Sequence, residues 1–92
     1  MIKTFHCRDT ESLFKGKRVV RYVNFERVAL RKLEQLDLAL TVEDMRSPPG
    51  NRLEMLKGNR AGQWSVRIND QWRICFRFIN GDAIDVEIVD YH

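Results

Sequence analysis

A chain of 92 residues, 43% hydrophobic and 32% charged, is long enough for one buried core and too short for two. It has no apolar run that could serve as a signal peptide or membrane span, and its two cysteines, Cys7 and Cys75, are too few for a disulfide scaffold. A soluble cytoplasmic protein with reduced thiols and no membrane partner is expected, and its net charge of +3 favours polyanionic partners.

In chain order, Met1 to Cys7 reads as a short strand with Ile2, Phe5 and Cys7 as its apolar members. Asp9-Thr10-Glu11 caps a short helix that runs to Phe14, buries Leu13 and Phe14, and stops at Gly16. Lys15, Lys17, Arg18, Arg21, Arg27, Arg31 and Lys32 then crowd the first third with only Glu26 among them. Such a run is either a solvated helix face or a footprint for RNA phosphates, for the ribosome or for an acidic protein partner.

Asn24 is placed to cap an amphipathic helix of about four turns starting at Phe25, with Val23 and Val28 as a hydrophobic staple. Its stripe is Ala29, Leu33, Leu36 and Leu40. Thr41 and Asp44 have the spacing of a capping box, so one more turn follows before Ser47-Pro48-Pro49-Gly50, a stiff connector that cannot continue a helix. In the next stretch Leu53 points inward and Glu54 outward as in a strand, and the Met55-Leu56 doublet signals a bend before Lys57-Gly58. Parity cannot place Lys57.

The last third reads as three adjoining strands, GQWSVRI, WRICFRFI and AIDVEIVDYH, separated by Asn69-Asp70-Gln71 and Asn80-Gly81-Asp82. A period of two collects Trp64, Val66, Ile68, Trp72, Ile74, Phe76, Phe78, Ile84, Val86 and Ile88 on one face, which the long helix covers. Keeping that face together requires odd loops: Ile68 opposite Trp72 and Phe78 opposite Ile84, with Gly81 in a bulge at the second turn. On the other face Arg67 then falls opposite Arg73, Cys75 opposite Glu87, and Arg77 opposite Asp85. Like charges directly opposite repel, so Arg67 and Arg73 either splay into water or bind an anion. A zinc site built from Cys7, Cys75, His6 and His92 is disfavoured. His6 and Cys7 are adjacent in a strand and point to opposite faces, and no CxxC or HxxxH spacing exists. No metal or cofactor is expected.

The run from Asn51 through Lys57-Gly58-Asn59-Arg60, Trp64-Ser65, Trp72-Arg73, Phe76 and Asp90-Tyr91-His92 resembles the HigB toxins of HigB–HigA toxin–antitoxin modules, members of the RelE-like superfamily of ribosome-dependent mRNA endonucleases. The resemblance spans the chain and is most specific in its last 40 or so residues. It implies an α+β fold, a small antiparallel-dominated twisted sheet with N-terminal helices packed on one face, whose basic open face receives mRNA in the A site of the 70S ribosome. It also implies cleavage by 2′-hydroxyl attack without a metal, and inhibition by a HigA-type antitoxin whose helix-turn-helix domain brings the toxin indirectly to operator DNA.

By the same resemblance, Lys57 and Arg73 match phosphate-stabilising cations, Tyr91 and His92 match a functional tail, and Asp90 matches a residue that positions it. Arg67 joins them through the register argument alone. Glu54 stands where some relatives carry histidine and other members of the superfamily use a glutamate base, so the acid–base assignment stays open. In-line transfer at phosphorus needs a base, an acid and cations, which Glu54, His92, and Lys57 with Arg67 and Arg73 would supply. This predicts a bell-shaped pH dependence. The alternative is a non-catalytic RNA or ribosome binder that uses the same cations.

Overall fold

Alternation of apolar and polar residues decides the sheet. In the computed structural model, which describes residues 1–91, β1 (Glu54–Met55), β2 (Trp64–Arg67), β3 (Trp72–Ile79) and β4 (Asp82–Asp90) form a four-stranded antiparallel sheet in that order. Val66, Ile74, Phe76 and Val86 are fully buried against Ala29, Leu33 and Leu36 of α2 (Glu26–Leu38). α1 (Arg8–Phe14) packs beside α2 and contributes Leu13 to the same core. The α+β class expected from the sequence is the one observed.

The β2–β3 hairpin has the expected register. Arg67 pairs with Arg73, and the N–H groups of Ile68 and Asn69 donate to the Trp72 carbonyl at 2.9 and 3.2 Å. The Asn69 side-chain oxygen accepts from the Gln71 and Trp72 N–H groups at 2.9 and 2.8 Å, which closes the three-residue loop.

The β3–β4 hairpin departs from expectation. Ile79 pairs with Asp82 and Phe78 with Ala83, so the turn holds only Asn80 and Gly81, at φ 51° and 83°. Asn-Gly suits a two-residue turn with both φ positive, whose twist matches that of the strands. Parity is restored further along by an irregularity: Cys75 still faces Glu87, but Arg77 faces Ile84, and the extra residue falls on β4, where Asp85 has φ 56°. Three expectations change together. Gly81 is in the turn rather than in a bulge, Ala83 replaces Ile84 as the fully buried residue, and Arg77 is no longer opposite Asp85, although the two remain 3.8 Å apart as an ion pair.

The N-terminal segment is less regular than a full strand. It meets β4 in parallel through single bridges at Ile2–Ala83 and Phe5–Val86, and so covers that edge. α1 starts at Arg8, with Cys7 in the capping position and no side-chain cap from Asp9. Phe25, not Asn24, occupies the cap position of α2. Packing substitutes for the missing cap, since the Phe25 ring lies 5.1 Å from that of Trp72 and 5.7 Å from that of Tyr22. The helix ends at Leu38, leaving Leu40 81% exposed instead of in the stripe. Asp44 causes this: its carboxylate accepts from the Leu40 and Thr41 N–H groups at 2.8 and 3.1 Å in the capping box of a 3-10 turn over Val42–Arg46. The Thr41–Asp44 box is as the spacing predicted.

Lys32 does not belong with the surface cations. It is 8% exposed and donates to the side-chain oxygen of Asn51, itself fully buried. Asn51 in turn donates to the carbonyls of Met45 and Ser47 and to the Gln35 side chain at 3.0 to 3.2 Å. Burial pushes the Lys32 pKa down, and the charges of Arg31 and Arg67 push it further the same way. This polar knot ties the proline-rich connector to α2. Asn51→Ala would leave a buried ammonium without its acceptor, and should cost about 3 kcal/mol. Urea unfolding measures it. A loss below about 1 kcal/mol would mean that water replaces the amide.

Candidate active site

The face of the sheet turned away from the helices carries the residues singled out from the sequence. Glu54 pairs with Ser65, Ser65 with Cys75, and Arg67 with Arg73, which sets the rows of this face. Arg73 occupies its centre. Its Nε donates to Ser65 Oγ at 2.8 Å, and its Nη2 donates to the Arg52 carbonyl at 2.7 Å. The Glu54 carboxylate lies 3.7 Å away, and the guanidinium carbon sits 5.9 Å from the centre of the Tyr91 ring. The Arg73 side chain is only 12% exposed, so it is a fixed, largely desolvated cation rather than a mobile surface arginine. Its Nη1 has no hydrogen-bond partner among the described residues.

Two of these supports, Ser65 and Arg52, have no role in the site that the sequence predicts. Ser65 is a small polar residue that alternation alone places on this face. Arg52 offers its carbonyl from a left-handed conformation, φ 46°, directly after the buried Asn51. A non-glycine residue at positive φ is a local tertiary demand that composition does not show.

The repulsion between Arg67 and Arg73 is relieved by splaying. Arg67 pairs with Asp70 in its own turn, an exposed carboxylate that stabilises little, while Arg73 turns toward Ser65 and Glu54. Glu54 is half-exposed on the short edge strand β1. Lys57 is exposed just beyond it, at the bend expected there, and its ammonium pairs with no carboxylate among the described residues.

The chain's tail is tied to the β2–β3 loop through one residue. Gln71 accepts from the Tyr91 N–H at 2.6 Å through its carbonyl, and its side-chain amide donates to Asp90 at 3.0 Å. This keeps Tyr91 on the Arg73 face. His92 lies outside the described residues. Cys75, fully buried in the floor of this face, has its pKa pushed up to about 11 by desolvation, so it remains an unreactive thiol at neutral pH.

The basic stretch does not join this face. Lys15 pairs with Glu11 at 3.3 Å. Arg21 is drawn into the structure by Asp9 at 3.0 Å and by the Tyr22 hydroxyl at 2.9 Å. Lys17, Arg18, Arg27 and Arg31 have no ion pair among the described residues, and Lys17 and Arg18 separate two surface hollows of about 350 and 440 Å³. These belong to the helical layer, across the sheet from Arg73.

A helix-backed antiparallel sheet whose free face holds a desolvated arginine, a carboxylate and a phenol side by side defines a small α+β protein with its polar cluster on the open face. The family model described as the RelE-like toxin of the type II toxin–antitoxin system HigB matches residues 8–92, and the chain belongs to this HigB-like toxin family. It is 37% identical over 95 residues to Endoribonuclease HigB of Proteus vulgaris, with both chains covered in full. It is also 45% identical over 62 residues to Toxin HigB-1 of Vibrio cholerae, covering 67% of this chain and 65% of that one. Among solved structures, the YoeB-YefM toxin-antitoxin complex from Staphylococcus aureus matches with TM-score 0.58 and 16% identity, over 100% of this chain and 98% of the other. The YoeB/ParE toxin from Agrobacterium tumefaciens matches with TM-score 0.52 and 18% identity, over 99% of each chain. These two structures share the fold.

Proposed function

We propose that the chain is an endoribonuclease toxin that cuts mRNA in the ribosomal A site and is held inactive by a HigA-type antitoxin. The observation that carries this reading is the state of Arg73, desolvated and fixed by Ser65 and the Arg52 carbonyl with one amino group that has no acceptor among the described residues. Such a donor stabilises charge that develops on a phosphoryl oxygen without having to reorganise. Glu54 beside it takes the proton of a ribose 2′-hydroxyl. The 2′-oxygen bonds to the adjacent phosphorus, the bond from phosphorus to the 5′-oxygen breaks, and His92 protonates that leaving oxygen. Lys57 adds a positive charge that pairs with no carboxylate among the described residues, and Tyr91 lies beside the guanidinium. The products are a 2′,3′-cyclic phosphate and a 5′-hydroxyl. Arg67, already paired with Asp70, serves the phosphate backbone more than the reacting group.

Replacing the attacking nucleotide with its 2′-deoxy counterpart in a ribosome-bound mRNA should block cleavage at that position, and EDTA added after ribosome assembly, at fixed free magnesium, should leave the rate unchanged. Cleavage of the deoxy substrate, or a rate restored only by a stoichiometric metal, would contradict the mechanism.

The helical layer serves binding in this account. Neutralising Lys17, Arg18 and Arg31 together should weaken association with ribosomes or antitoxin and flatten its salt dependence, without changing turnover of bound substrate. Arg21→Ala should instead lower the melting temperature, because it breaks the contacts to Asp9 and Tyr22. A binding assay across a salt series separates the two. Collapse of turnover with intact binding would move the triple variant's residues into the active site.

A further inference from the structure

On the same free face as Arg73, a cavity of about 450 Å³ opens among the loop after β1, strand β3 and the irregular part of β4. Register sets its place. Glu87 on its wall faces Cys75, one same-face step from Val89, which faces Arg73. A same-face step along a strand is about 7 Å, within reach of the nucleotide next to a phosphate held at Arg73.

The charges that line the cavity cancel in pairs. Arg60 donates to Glu87 at 3.0 Å and to the Gln63 side chain at 3.1 Å, and Arg77 lies 3.8 Å from Asp85. A phosphate would need unpaired cations. What the walls offer instead are the amides of Asn59 and Gln63, flat guanidinium faces and the exposed ring of His6. Edge donors and acceptors beside flat surfaces are what an unstacked nucleobase takes.

Two backbone features keep the cavity's shape. Gly62 has φ +90°, and a Cβ there would stand 2.8 Å from Arg77 Nη1, so the guanidinium lies directly along the glycine backbone. Asp85 is held at φ 56° with its N–H donating to Thr4 Oγ1 at 2.8 Å, and this irregularity keeps its carboxylate beside Arg77. Irregularities of this kind re-aim side chains next to functional sites. We infer that this cavity receives the base of a nucleotide adjacent to the one cleaved, a recognition subsite that contributes to the enzyme's sequence preference. The inference rests on the endonuclease reading above.

The test uses the full chain on ribosome-bound synthetic mRNAs that carry an abasic ribose in turn at each position flanking the cleavage point. At one flanking position, base removal should slow the wild-type protein roughly tenfold. Asn59→Ala and Gly62→Ala should slow cleavage of the intact mRNA by a similar factor and then be indifferent to base removal at that position. Asn59 is exposed on its loop, so that variant reports on the cavity even if Gly62→Ala is strained. Wild-type cleavage insensitive to base removal at every flank, or equal sensitivity in wild type and both variants, overturns the subsite and leaves the endonuclease intact. Failure of the wild type to cleave any ribosome-bound mRNA overturns the endonuclease reading and the subsite with it.

Discussion

Arg73→Ala should lower single-turnover cleavage of ribosome-bound mRNA by roughly a thousandfold, the upper range for removing one preorganised donor from a developing oxyanion. The same change leaves Ser65 Oγ and the Arg52 carbonyl without their donor, so a loss of stability of about 1 to 2 kcal/mol accompanies it. That is smaller than the roughly 3 kcal/mol expected for Ile74→Ala in the core beneath. The two variants together separate chemistry from folding: Ile74→Ala should melt earliest yet cleave near the wild-type rate below its melting point, while Arg73→Ala should be destabilised less and still lose cleavage. Arg73→Lys keeps the charge but loses the fork that reaches Ser65 and Arg52 at once, and should recover less than a tenth of the activity. Recovery of full activity by lysine would reduce the site to a point charge.

Deleting His92 should cost two to four orders of magnitude in the chemical step, the usual range for a general acid, and should leave melting and antitoxin binding nearly unchanged. What precedes it in the chain supports this expectation. Asp90 and Tyr91 are both held by Gln71, which keeps Tyr91, the residue before His92, beside Arg73. The deletion should also remove the alkaline limb of the pH–rate profile, because no group would then have to stay protonated to release the 5′-oxygen. Gln71→Ala is the matching positioning variant. It removes the side-chain amide that holds Asp90 while the backbone bond to Tyr91 remains, and should lower the rate modestly while keeping both limbs. A His92 deletion that cleaves at close to the full rate would place the acid elsewhere.

Much of this face could be read from residue order. Alternation places Glu54, Arg67 and Arg73 on one side and Ile74 with Phe76 on the other, because burying one face makes a one-residue slip expensive. The bulge in β4 could not be located in the same way. A three-residue turn, and a two-residue Asn80-Gly81 turn followed by an extra residue at Asp85, both leave Val86 and Ile88 inward, so parity cannot tell them apart. Turn chemistry does: Asn-Gly favours a two-residue turn with both φ positive. Lys32 illustrates a different limit. A lysine beside Arg31 reads as surface until Asn51, which is 19 residues away in sequence, supplies a buried acceptor. Arg73 was found by register, but its desolvation depends on the Arg52 carbonyl, a contact across 21 residues that no local pattern encodes.

If this face cuts mRNA only when a ribosome presents it, primer extension on one mRNA, incubated with the purified protein in the presence and absence of 70S ribosomes engaged on it, will show it. Stops within the A-site codon that require ribosomes and vanish with Arg73→Ala are the predicted result. Equal cutting of naked RNA, or no ribosome-dependent stop at any codon, would contradict it.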